Sequence, residues 1–127
     1  MENKVLVVDD ERIVCRAAQK ILEMEGYEVG LAATGEEALA LAKKNKFKMA
    51  LVDLILPGID GVEVCKQLKT ENADMKIVLM SGYLSKLKER RVVFDSLGGC
   101  LEIMEKPFGG EDIVRITTDF FERGHGC

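Results

Sequence analysis

Short apolar runs and amphipathic stretches alternate along this chain. Lys4-Val5-Leu6-Val7-Val8 is brief and β-branched, the pattern of a strand buried on both faces, and it stops at Asp9-Asp10-Glu11. From Arg12 to Glu25 the apolar residues Val14, Ala18, Ile21 and Leu22 recur at helical spacing, and Gly26 reads as the stop. Tyr27 to Leu31 predicts a second, weaker strand. Thr34 and Glu37 then have capping-box spacing, ahead of a helix with Ala38, Leu41 and Ala42 on one face. That helix ends in Lys43-Lys44-Asn45-Lys46, so acid opens it and base closes it, as the helix dipole favours.

Met49-Ala50-Leu51-Val52 is a third strand whose end delivers Asp53 to a loop carrying Pro57-Gly58. Asp60-Gly61-Val62-Glu63 repeats the box spacing before a helix with Val64, Cys65 and Leu68 inward. Lys76 to Met80 gives the fourth strand, a less regular helix follows over 84–97, and Cys100 to Met104 gives the fifth strand. A last helix from about Glu111 places Ile113, Ile116 and Phe120 inward. Five strand–helix units whose strands are too apolar to leave one face wet predict an α/β fold. Right-handed crossovers then give a doubly wound, five-stranded parallel sheet in the order 2-1-3-4-5 with five helices.

Composition narrows the function. The 127 residues suit one domain, placed at 1–124 with a tail at 125–127. A formal charge of −4 argues against direct binding of nucleic acid, which draws on a basic surface. No apolar run approaches the roughly 18–20 residues that span a bilayer, and the first residues lead straight into a strand rather than a signal peptide. Cys15, Cys65, Cys100 and Cys127 are far apart and form no CxxC pair, so a reduced, cytoplasmic setting is expected. His125, in Gly-His-Gly-Cys, reads as part of a frayed terminus.

Ligands of open α/β sheets bind outside the carboxyl ends of the strands. Strand one ends in Asp9-Asp10, strand three in Asp53, strand four in Ser81, and strand five leads to Lys106. Each alone has an ordinary reading as turn residue, helix cap or surface lysine. Together at one sheet edge they are three carboxylates, a hydroxyl and an ammonium. Clustered carboxylates call for a hard cation, and Mg²⁺ with oxygen ligands fits, with Mn²⁺ as a substitute. The chain has no G-x-x-x-x-G-K phosphate loop, which leaves a phosphoryl group handled by a side chain, with Asp53 as acceptor.

The joint pattern of Val7-Val8-Asp9-Asp10-Glu11, Val52-Asp53 through Pro57-Gly58-Ile59-Asp60-Gly61, Met80-Ser81-Gly82 and Lys106-Pro107-Phe108 resembles the receiver domain of bacterial two-component response regulators. The resemblance runs from Lys4 to about Phe121 and implies the flavodoxin-like form of the fold. It implies phosphorylation of Asp53 from a sensor histidine kinase or histidine phosphotransfer protein. It further implies Mg²⁺ on Asp10, Asp53 and the backbone carbonyl of Ile55, with Asp9 acting through water. Ser81 and Lys106 would contact the phosphoryl group, Gly82 would leave it room, and the Lys106–Pro107 bond is expected to be cis. The chain's own enzymatic role would be confined to its phosphorylation and dephosphorylation. Its output, through the fourth helix, fifth strand and fifth helix, would reach an unknown effector or a second copy in a homodimer.

Two places depart from or vary within that family. Ile103 stands where members commonly carry Tyr or Phe, so an aromatic switch does not transfer to this chain. Tyr83 and Ile55, two residues beyond Ser81 and Asp53, flank the path of an attacking water and are expected to shield the acyl phosphate. Two other functions stay open on the sequence. One is a receiver-like interaction module that takes no phosphate. The other is a phosphatase of the haloacid dehalogenase type, which would need a second Asp where this chain has Ile55.

Overall fold

The computed structural model describes residues 3–81, 101–105 and 108–122. Strands β1 (Lys4–Val8), β2 (Glu28–Ala32), β3 (Met49–Asp53), β4 (Lys76–Ser81) and β5 (Leu101–Glu105) form one sheet in the order β2-β1-β3-β4-β5. Every pairing is parallel. The described helices are α1 (Arg12–Met24), α2 (Gly35–Lys44), α3 (Gly61–Glu71) and α4 (Gly110–Phe121). The helix predicted over 84–97 lies outside the described residues, as do Gly82, Tyr83, Lys106 and Pro107.

Alternation along the central strands divides the core in two, because successive side chains of a strand face opposite ways. Leu6, Val8, Ala50, Val52, Ile77 and Leu79 pack on the α2 and α3 side with Ala38, Val64, Cys65 and Leu68. Val5, Val7, Met49, Leu51, Val78 and Met80 pack on the α1 and α4 side with Cys15, Ala18, Leu22, Ile113 and Ile116. With both faces covered, β3 and β4 are buried throughout, which is why the runs Met49 to Val52 and Ile77 to Met80 are continuously apolar and not alternating.

Local signals set the boundaries. Helix α1 closes in a Schellman motif, with Gly26 N–H donating to Glu23 O (3.0 Å), Tyr27 N–H to Leu22 O (3.1 Å), and Gly26 at φ +93°. Helix α2 opens on Thr34, whose hydroxyl accepts from Glu37 N–H at 3.1 Å. The return bond lands one residue early, from Ala33 N–H to Glu37 Oε2 at 2.9 Å. Asp60 caps α3 by accepting from Val62 N–H at 2.8 Å.

Several expected details shift. Helix α1 ends at Met24, with Glu25 as its cap, and it buries Cys15, Ala18 and Leu22, leaving Val14 and Ile21 only partly covered. Strands β2 and β5 each sit one residue later than their sequence patterns suggest. In α4, Thr117 is fully buried while Phe120 is half-buried. Thr117 can occupy the core because its hydroxyl donates to Ile113 O at 2.9 Å, leaving the methyl to pack.

Candidate functional site

The register of the sheet assembles the site. Val8 pairs with Val52 across β1 and β3, so Asp9 and Asp53 stand beside each other one step further along. Asp53 pairs with Met80, which puts Ser81 one residue beyond it on β4, and Ser81 pairs with Glu105. Asp9, Asp10 and Asp53 each bring a carboxylate oxygen to a group whose members lie within 4.8 Å of one another. Asp9 (1% exposed) and Asp53 (7%) are buried, while Asp10 is exposed.

Backbone donors hold the two buried acids. Asp9 Oδ1 accepts from Glu11 N–H at 2.9 Å, and Asp9 N–H donates to Ala32 O at 3.0 Å. Asp53 Oδ1 accepts from Ile55 N–H at 3.2 Å, and the next residue, Leu54, donates its N–H to Met80 O at 2.9 Å. Such bonds orient a carboxylate but do not cancel the mutual repulsion of three acids on one rim. An all-oxygen cluster of this charge fits a hard divalent cation of the Mg²⁺ type better than a thiophilic metal.

The remaining candidates fall into two groups. Ser81 is buried at the end of β4. Ile55 is 46% exposed on the loop after β3, and Ile103 is 43% exposed on β5, paired in register with Leu79. Gly82, Tyr83, Lys106 and Pro107 lie outside the described residues. Gly61 is a structural requirement that the sequence reading passed over as part of a cap. A Cβ there would strike the carbonyl oxygen of Asp53 and sit 2.6 Å from that of Leu54. Only glycine lets the start of α3 lie directly against the end of β3, where Gly61 N–H donates to Leu54 O at 3.2 Å.

Geometry and ancestry agree. The family model described as the response regulator receiver domain matches residues 5–118. The chain belongs to that family, whose members are signalling modules of two-component systems. It is 37% identical over 113 residues to the alkaline phosphatase synthesis transcriptional regulatory protein PhoP of Bacillus subtilis (strain 168), covering 89% of this chain and 46% of that one. It is 35% identical over 114 residues to the response regulator MprA of Mycobacterium sp. (strain KMS), covering 90% and 48%. The chain thus spans about half the length of these curated relatives.

Among solved structures, a CheY-like receiver domain protein from Methanospirillum hungatei JF-1 superposes with a TM-score of 0.88 at 30% identity, covering 97% of this chain and 96% of that one. The chemotaxis protein CheY4 of Vibrio cholerae gives a TM-score of 0.84 at 28% identity, covering 93% and 98%. These likenesses support the receiver reading, and none supports the phosphatase or the phosphate-free module. Among the described residues no helix is long and apolar enough to cross a membrane.

Proposed function

We propose that this chain is the phosphorylation switch of a two-component relay, with Asp53 as the phosphoryl acceptor. The observation that carries the proposal is the meeting of Asp9, Asp10 and Asp53 within 4.8 Å at the carboxyl edge of the sheet. Asp10, Asp53 and the backbone carbonyl of Ile55 would hold Mg²⁺, or Mn²⁺ in its place, with Asp9 acting through water. A divalent ion bound there supplies positive charge to the phosphoryl oxygens.

The residues of the chain do the rest. A carboxylate oxygen of Asp53 attacks phosphorus, the P–N bond of the donor's phosphohistidine breaks, and an aspartyl phosphate forms as the imidazole leaves. Ser81 donates its hydroxyl to one phosphoryl oxygen, and the Lys106 ammonium neutralises another. Lys106 enters on the strength of the family pattern, together with Gly82 as the small residue that leaves room and Pro107 as the turn behind the lysine. Asp9 and Asp53 keep their orientation through the N–H groups of Glu11 and Ile55. The donor would be a sensor histidine kinase or a histidine phosphotransfer protein in the cytoplasm.

The phosphorylated state would shift the population of the face formed by residues 84–97, β5 and α4 toward an effector or a second copy. Ile103 takes part as an aliphatic side chain that repacks, in place of an aromatic gate. The receiver domain would occupy 1–124 and leave 125–127 as a tail.

Incubation with acetyl phosphate and Mg²⁺, read by intact mass, tests the proposal. One phosphate adduct that is absent in Asp53→Asn is the expected result. Steady release of phosphate without an adduct would instead favour a phosphatase, and no reaction at all an interaction module.

A further inference from the structure

Cys15 lies on the buried face of α1, where its thiol donates to the backbone carbonyl of Asp9 at 3.1 Å. Asp9 is therefore held through its N–H by Ala32, through its carboxylate by Glu11 N–H, and through its carbonyl by Cys15. That carbonyl and the N–H of Asp10 belong to one planar peptide unit, so a donor on the oxygen fixes the plane from which both acidic residues depart. Asp10 is exposed. Cys15 is 6% exposed and Asp9 is 1% exposed, which leaves water little room to replace the thiol as donor.

We infer that Cys15 is a positioning residue for the cation seat, holding the Asp9–Asp10 peptide so that the carboxylates of Asp9, Asp10 and Asp53 stay within 4.8 Å of one another. The inference rests on the reading of that acidic group as the seat of a divalent cation. A thiol is a weak donor, so its loss costs less than that of a typical outer-shell partner. Cys65 provides a matched control. It is as deeply buried, but it sits beneath α3 in the opposite core layer.

The experiment is a titration of the 127-residue protein with Mn²⁺, counting free Mn²⁺ by electron paramagnetic resonance, alongside denaturation curves. Cys15→Ala is expected to weaken Mn²⁺ binding by about threefold to tenfold, below the usual outer-shell range. Cys15→Ser, which keeps a donor, recovers most of that loss. Cys65→Ala lowers the denaturation midpoint and leaves the Mn²⁺ affinity unchanged. Unchanged affinity in Cys15→Ala, or an equal loss in Cys65→Ala, overturns the role of Cys15. Should Cys15→Ala not fold, Cys15→Val fills the space without a donor, and affinity equal to that of Cys15→Ser overturns the role in the same way. A parent protein that binds no Mn²⁺, or binds it as well with Asp10→Asn and Asp53→Asn, overturns the cation seat itself, a failure distinct from that of Cys15.

Discussion

Ile55 donates its backbone N–H to Oδ1 of Asp53 at 3.2 Å, so the residue two positions beyond the proposed acceptor is tethered to it. Its side chain is 46% exposed on the loop that leaves the acid, and in the proposed function it shields the phosphoryl group from the approach of attacking water. Ile55→Asn keeps the N–H but makes that approach polar. We expect the phosphorylated protein to lose its phosphate about threefold to tenfold faster, equivalent to roughly 0.7–1.4 kcal/mol of barrier. Decay of the phosphate adduct after removal of the donor measures this, and an unchanged rate would take Ile55 out of the shielding role.

Gly61 and Gly26 separate two reasons for glycine. Gly26 needs only its left-handed backbone, since a Cβ there meets nothing within 4 Å. Gly26→Ala should cost about 1–2 kcal/mol. Gly61→Ala forces a methyl onto the carbonyls of Asp53 and Leu54, which cannot swing aside as a side chain can. A loss of about 2–3 kcal/mol is expected, with slower phosphorylation of Asp53 because the displaced carbonyl is its own. Denaturant titration of the two variants ranks them.

Thr34 lies far from the acids in its effect. Its hydroxyl caps α2 at 3.1 Å, and Thr34→Ala should lower stability by about 1 kcal/mol while the phosphorylation rate holds. Thr34→Ser should restore the stability. A fall in phosphorylation rate beyond the parent's scatter would contradict the assignment of Thr34 to the helix alone.

Burial pushes the Cys65 thiol from an ordinary 9.0 up to about 12, with Asp60 adding to the shift. The unfolded chain therefore releases this proton first, and between pH 9 and about 12 it binds fewer protons than the folded chain. Stability must fall as pH rises through that window, by up to roughly 1.4 kcal/mol per pH unit from this group. Cys65→Ala, less stable at neutral pH, should show a shallower alkaline decline. Denaturation midpoints at pH 7, 9 and 10.5 compare the two slopes.

The strand order was legible because β1, β3 and β4 are short apolar runs too continuous to leave a face wet, and because helical spacing returns between them. Asp9, Asp53 and Ser81 were legible as candidates because each follows such a run directly. What pairing distance they reach was not, since that depends on Val8 meeting Val52 and Asp53 meeting Met80, and register leaves no mark in one sequence. The burial of Thr117 and Lys76 left no mark in the sequence either. Each is polar in name, yet Thr117 returns its hydroxyl to its own helix, and Lys76 is 6% exposed, its long stem able to pack where its charge could not. The thiol bond from Cys15 to Asp9 gave no signal at all, because a cysteine on an apolar helix face reads as a small core residue.

Asp9 follows β1 and Asp53 ends β3, strands with a bonded neighbour on each side, whereas β5 is bonded along one side only among the described residues. Local opening of a protein follows such differences, with interior strands exchanging their amide hydrogens last and edges first. The floor under the acids and the rim at β5 are thus expected to differ in local stability. Amide exchange at β5, around Ile103, is therefore expected to precede exchange on the floor that carries the acids.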